Sequence, residues 1–144
     1  MENGRHTSHP LAHRRVMVLE DDFAIKNGLE AILEQAGATI SSVYHPRLDA
    51  AILDVRMDRG LSSTRVAHEL SRRSVPFFFY TGQSEAQLAP VRAEWPNQVI
   101  LSKPQTPDAI VKAVLALLAE KPRPMPGQQM SRLRGPQLRT SGPT

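Results

Sequence analysis

Val16-Met17-Val18-Leu19-Glu20-Asp21-Asp22 is a four-residue apolar run that ends in three acids. It is too short for a stable helix and reads as a strand buried on both faces. Three further runs share this form. Ala50-Ala51-Ile52-Leu53 ends at Asp54, Val75-Pro76-Phe77-Phe78-Phe79-Tyr80 at Thr81, and Val99-Ile100-Leu101-Ser102 at Lys103. Parallel strands covered by helices bring their carboxyl ends to one edge, where open α/β sheets bind their ligands. The pattern therefore predicts that Glu20, Asp21, Asp54, Thr81 and Lys103 meet in one cleft.

The segments between these runs supply the helices. Asp22 can cap a helix from about Phe23 to Ala36, with Ile25, Leu29, Ile32, Leu33 and Ala36 on one face and Gly37 as the stop. Gly28 weakens that helix by about 1 kcal/mol relative to Ala. Ala38–Tyr44 reads as a short strand that Pro46 ends. A loop from Arg56 leads to a helix capped by Ser62 or Ser63, with Val66, Ala67 and Leu70 inward. Ser84–Glu94 has helical composition, but Pro90 is expected to shorten or kink it. Thr106-Pro107-Asp108 starts a last helix whose apolar face includes Ile110, Val111, Val114, Leu115, Leu117 and Leu118. Alternating strands and helices predict a doubly wound α/β fold with a parallel five-stranded sheet.

The bulk properties divide the 144 residues into three parts. Residues 16–120 carry 10 Lys/Arg against 13 Asp/Glu, whereas residues 1–15 carry a net +2 and residues 121–144 a net +5. The formal net charge of +4 thus comes from two basic arms around a mildly acidic body. Both arms read as disordered and solvated, because their charges are sparse and their composition cannot build a core. They lack the aromatic interleaving of a nucleic-acid-binding segment. His6, His9 and His13 would suit a metal only on one helix, which Pro10 opposes. With no cysteine, disulfides and thiolate metal sites are excluded. No run is long enough to span a bilayer, and no secretory leader is evident, so a cytoplasmic location is expected.

The cleft suits Mg²⁺-dependent phosphoryl transfer onto a carboxylate. A carboxylate can act as the nucleophile, and the step needs positioning and charge neutralisation above all. Mg²⁺ is commonly held by one or two carboxylates with phosphate oxygens and water. Asp54 is the expected nucleophile and a ligand, with Asp21 a direct ligand and Glu20 beside it. Lys103 brings a point charge to the phosphoryl group, and Thr81 a hydroxyl donor.

These motifs resemble the response-regulator receiver domain of two-component signalling. VMVLEDD at 16–22, AAILDV at 50–55, PFFFYTG at 76–82 and LSKP at 101–104 carry the resemblance, which runs from about Val16 to Ala119. It implies a flavodoxin-like fold of strand order 2-1-3-4-5 and places Asp54 as phosphoacceptor, Glu20 and Asp21 as the acidic pair, Thr81 as the switch hydroxyl and Lys103 as the lysine before proline. Arg56 takes the position whose backbone carbonyl holds Mg²⁺. The implied donor is a phosphohistidine on a histidine kinase or phosphotransfer protein. The implied protein is a single-domain regulator and phosphoacceptor rather than an enzyme, with self-dephosphorylation as its only turnover.

Two departures from that family stand out. Asp54 lies only 17 positions after Gly37, too few for the usual second helix. Either the second helix is missing and replaced by an extended link, or the second strand is displaced; a missing helix would leave a sheet face to be closed by a partner, a second copy or the tail. The family's aromatic switch position is Ile100. A degenerate receiver acting as a phosphorylation-independent binding module is the alternative function. A haloacid-dehalogenase-type phosphatase needs an Asp where this chain has Arg56.

Overall fold

The computed structural model describes residues 9–41, 45–55 and 63–120. Five strands and four helices alternate along these residues. The strands are β1 (Arg15–Leu19), β2 (Thr39–Ser41), β3 (Ala50–Leu53), β4 (Phe77–Thr81) and β5 (Ile100–Ser102). The helices are α1 (Phe23–Gln35), α2 (Ser63–Arg72), α3 (Glu85–Glu94) and α4 (Pro107–Glu120). All strand pairs are parallel and the order is β2-β1-β3-β4-β5.

The two-residue period of a strand divides its side chains between the two faces. Val16 and Val18 of β1, Ala50 and Ile52 of β3, and Phe78 and Tyr80 of β4 join Leu29 and Leu33 of α1 and Ile110 and Val114 of α4 in one core. Met17 and Leu19, Ala51 and Leu53, and Phe77 and Phe79 join Val66, Ala67 and Leu70 of α2 in the other. Trp95, the C-cap of α3, extends the second core by meeting Phe77 edge-on at 5.4 Å. The all-apolar runs are thus explained by burial on both faces.

Several local expectations shift. β1 begins one residue early, at Arg15, and β5 is displaced to Ile100–Ser102. The strand expected over Ala38–Tyr44 is described only at Thr39–Ser41, and residues 42–44 lie outside the described residues. Pro90 does not shorten α3, which runs through to Glu94. Its start is secured by a capping box, Ser84 accepting from Gln87 N and the Gln87 side chain accepting from Ser84 N.

The N-terminal arm expected over 1–15 needs correction. Residues 9–14 dock on the domain. Leu11 is fully buried in the α1/α4 core, and its N–H donates to Ala36 O at 2.8 Å. His13 takes a left-handed conformation, φ 67°, inside this turn, and no helix aligns His9 with His13. Gly37, at φ +102°, lets the turn approach, because a Cβ there would stand 3.0 Å from Ala12 N. A hydropathy reading misses this, since one leucine between polar residues carries no periodic signal. The arm at 121–144 lies outside the described residues.

No helix occurs between β2 and β3 among the described residues; 45–49 form a turn and an irregular link. The absence of the second helix therefore holds there, but the open apolar face expected from it does not. Leu48 folds into the second core, which also holds Met17 and Leu19, and all three are buried. Among the described residues, the exposed large apolar side chains are Phe23, Val99 and Leu115, none of which belongs to that core. The link needs no helix because β2 offers that face little to cover, only exposed Thr39 and small Ser41.

Candidate functional site

Register sets the site. Leu19 pairs with Leu53 and Thr81 with Ser102, so the residues that follow emerge along one edge of the sheet. Backbone hydrogen bonds carry the alignment past the strand ends. Asp54 N donates to Leu19 O and Lys103 N to Thr81 O, both at 2.8 Å.

Three charged side chains converge there. Lys103 Nζ lies 2.7 Å from Glu20 Oε1 and 3.4 Å from Asp54 Oδ2. Glu20 and Asp54 are buried, and the Lys103 side chain is 15% exposed. Burial disfavours the ammonium, but the Glu20 contact and the negative charge of Asp54 and Glu20 outweigh it. The pKa of Lys103 is consequently raised above its ordinary value of 10.5. Nζ and Glu20 Oε1 form a close ion pair, and this buried oxygen has no further hydrogen-bond partner. Glu20 Oε2 is used locally and accepts from Asp22 N at 3.0 Å.

The neighbouring residues complete the edge. Asp21 is half-buried and directly follows Glu20. Asp22 caps α1, its carboxylate accepting from Ile25 N at 3.1 Å. Thr81 is 1% exposed, and its Oγ1 accepts from Gln83 N at 3.0 Å. That bond uses an oxygen lone pair, so the hydroxyl hydrogen is still available for donation. The sequence marks Tyr80 only as a strand residue, yet its hydroxyl accepts from Gln105 N at 3.1 Å and its ring lies under Lys103 Nζ, 5.7 Å from the centroid. Ser63 Oγ donates to Val55 O at 2.6 Å, tying the start of α2 to the residue after Asp54.

No family model matches the chain. No curated protein matches it either. Solved structures do. A response regulator receiver protein from Burkholderia phymatum is 23% identical at a TM-score of 0.61, covering 74% of this chain and 95% of its own. The signal receiver domain of a modulated diguanylate cyclase from Desulfovibrio desulfuricans G20, described as an example of alternate folding, is 22% identical at 0.64, covering 74% and 94%. SdrG from Pseudomonas melonis Fr1, in a BeF3-activated conformation, is 32% identical at 0.57, covering 74% and 98%.

The chain has the response-regulator receiver fold. Within this receiver fold, the structure brings Glu20, Asp54 and Lys103 into direct contact and sets Thr81 at the adjoining strand end. Asp21 shares the edge of the receiver sheet, whereas Arg56 lies outside the described residues. Among the described residues at this edge, Tyr80 is one that the sequence does not mark. Its single signal there is a hydroxyl at the end of an otherwise apolar run.

Proposed function

We propose that this chain acts as a response-regulator receiver in which Asp54 accepts a phosphoryl group from a phosphohistidine donor. The observation that carries this reading is the buried contact of one ammonium with two carboxylates, Lys103 with Glu20 and Asp54. A structural ion pair needs only one acid for each base. The extra carboxylate and the strand-end position favour a site built to exchange charge.

In this reading an Asp54 carboxylate oxygen forms the new O–P bond as the donor's N–P bond breaks. The electron pair of that bond returns to the donor imidazole nitrogen. Lys103 balances charge at the phosphoryl oxygens, and the Thr81 hydroxyl donates to one of them. The donor set fits Mg²⁺. Glu20 Oε1 is a buried carboxylate oxygen with no hydrogen-bond partner beyond its ion pair with Lys103. Among the described residues no three His, Asp or Glu gather closely enough to hold a metal unaided; Mg²⁺ is commonly held by one or two carboxylates with phosphate oxygens and water. Asp21 and Asp54, with Glu20 beside them and the Arg56 carbonyl, would hold it. When bound, it would neutralise charge on the transferring group. The existence of a BeF3-activated conformation of SdrG, 32% identical to this chain, supports reading the chain as a receiver that can be activated.

A histidine kinase or phosphotransfer protein would supply the phosphoryl group, and a downstream protein or a second copy would read it. Among the described residues no helix is long and apolar enough to cross a membrane.

Intact-mass measurement with a small phosphodonor and Mg²⁺ tests the proposal. Wild type is expected to gain one phosphoryl mass, and Asp54→Asn or removal of Mg²⁺ to prevent it. Equal labelling of Asp54→Asn would remove Asp54 as acceptor.

A further inference from the structure

Tyr80 meets the loop between β5 and α4 at two points. Its hydroxyl accepts from Gln105 N at 3.1 Å, two residues beyond Lys103. The Lys103 ammonium lies over its ring, 5.7 Å from the centroid, within the range in which a cation is attracted to an aromatic face. A buried tyrosine needs some partner for its hydroxyl, and a single bond to any backbone group would satisfy that need. Here both contacts fall on the segment that bears the lysine. The segment's own anchors are few: Lys103 N to Thr81 O, and Gln105 Nε2 to Ser102 O at 2.8 Å.

The consequence concerns where Nζ can go. A lysine side chain has four rotatable bonds and would sample many positions above an open edge. Its end is instead held between Glu20 and Asp54, while the next peptides are drawn toward β4 by Tyr80. Tyr80 also immediately precedes Thr81, so one strand end sets both the hydroxyl and the ammonium. We propose that Tyr80 is the positioning residue for Lys103, its ring placed beneath the ammonium and its hydroxyl clamping the backbone at Gln105.

The effect of this positioning on labelling rests on the phosphoacceptor reading of Asp54, whereas the positioning itself does not. Two variants separate the contacts. Tyr80→Phe removes the hydroxyl and keeps the ring in the core; Tyr80→Leu removes both. The first readout is the Lys103 Nζ and Cε NMR signal in full-length protein without phosphodonor. Tyr80→Phe is expected to shift and broaden it, and Tyr80→Leu to do so further, with the circular dichroism of Tyr80→Phe unchanged. The second readout is phosphoryl transfer from a small donor. In Tyr80→Phe the rate at saturating donor should fall about tenfold, the equivalent of one hydrogen bond, with the half-saturating donor concentration unchanged.

A Lys103 signal identical in Tyr80→Phe, Tyr80→Leu and wild type overturns the positioning proposal, whatever the labelling. A shifted signal with an unchanged saturating rate overturns the role of Tyr80 in the transfer step, by showing that the placement of the ammonium does not serve the reaction. If wild type takes no label, the phosphoacceptor reading fails. The NMR signal then still decides whether Tyr80 holds the ammonium.

Discussion

Lys103 shows how one residue's environment sets its chemistry. Its burial costs charge stability, and two carboxylates more than return it, so the ammonium persists above pH 10.5. The sign of the resulting linkage follows from a raised folded pKa. Lys103 contributes its full stabilisation below pH 10.5 and loses it as pH rises through the higher folded value. Urea unfolding should therefore show no loss assignable to Lys103 between pH 7 and pH 10, and labelling should not fall over that range through its deprotonation. Lys103→Ala leaves two buried carboxylates without their common cation. It should slow labelling by roughly 10²–10³-fold while Asp54 remains the labelled residue, as peptide mapping of the phosphorylated chain would report.

Elements in this chain are held by their ends as much as by their faces. The turn over residues 9–14 has no regular structure of its own, yet it places Leu11 in the core and bonds to the C-cap residue of α1. Leu11→Ala is expected to cost about 2–5 kcal/mol, measured by urea denaturation, without removing any side chain at the strand-end edge. A chain beginning at residue 14 should suffer at least that loss, and one beginning at residue 9 should not. In α1 the opposite intervention helps. Gly28 is exposed on the helix, and a Cβ there would meet nothing within 4 Å. Gly28→Ala should raise stability by about 0.5–1 kcal/mol through helix propensity alone, read as a higher denaturation midpoint at constant slope.

Over the whole molecule, the sheet is closed on both faces by unequal means. One face has α1 and α4 with Leu11; the other has α2, with Trp95 at the end of α3, and Leu48 standing where more cover would be needed. One leucine suffices because β2 presents no large apolar side chain to that face. Leu48→Ala should cost about 2–4 kcal/mol. Leu48→Asp should add exposure of Met17 and Leu19, detected as increased binding of a hydrophobic dye and as self-association in light scattering. A fully folded, monomeric Leu48→Asp protein would show that the face is closed by something else.

Much of this architecture was legible in the chain. The strand runs, the helix caps at Asp22 and Ser84 and the strand-end positions of Glu20, Asp54, Thr81 and Lys103 are local patterns, written in residues close together in sequence. Burial on both faces explains why the strands read as continuous apolar runs, and parallel order then brings their last residues to one edge. The spacing from Gly37 to Asp54 also excluded a full second helix by length alone. Tertiary structure decided what depends on distant segments meeting. The docking of Leu11 under α1, the closure by Leu48 and the reach of Tyr80 to Gln105 depend on which side chain fills the space left by others. A contact between residues 25 positions apart leaves no period in the sequence. It exists because the register of β4 and β5 sets Tyr80 beside the loop that carries Lys103.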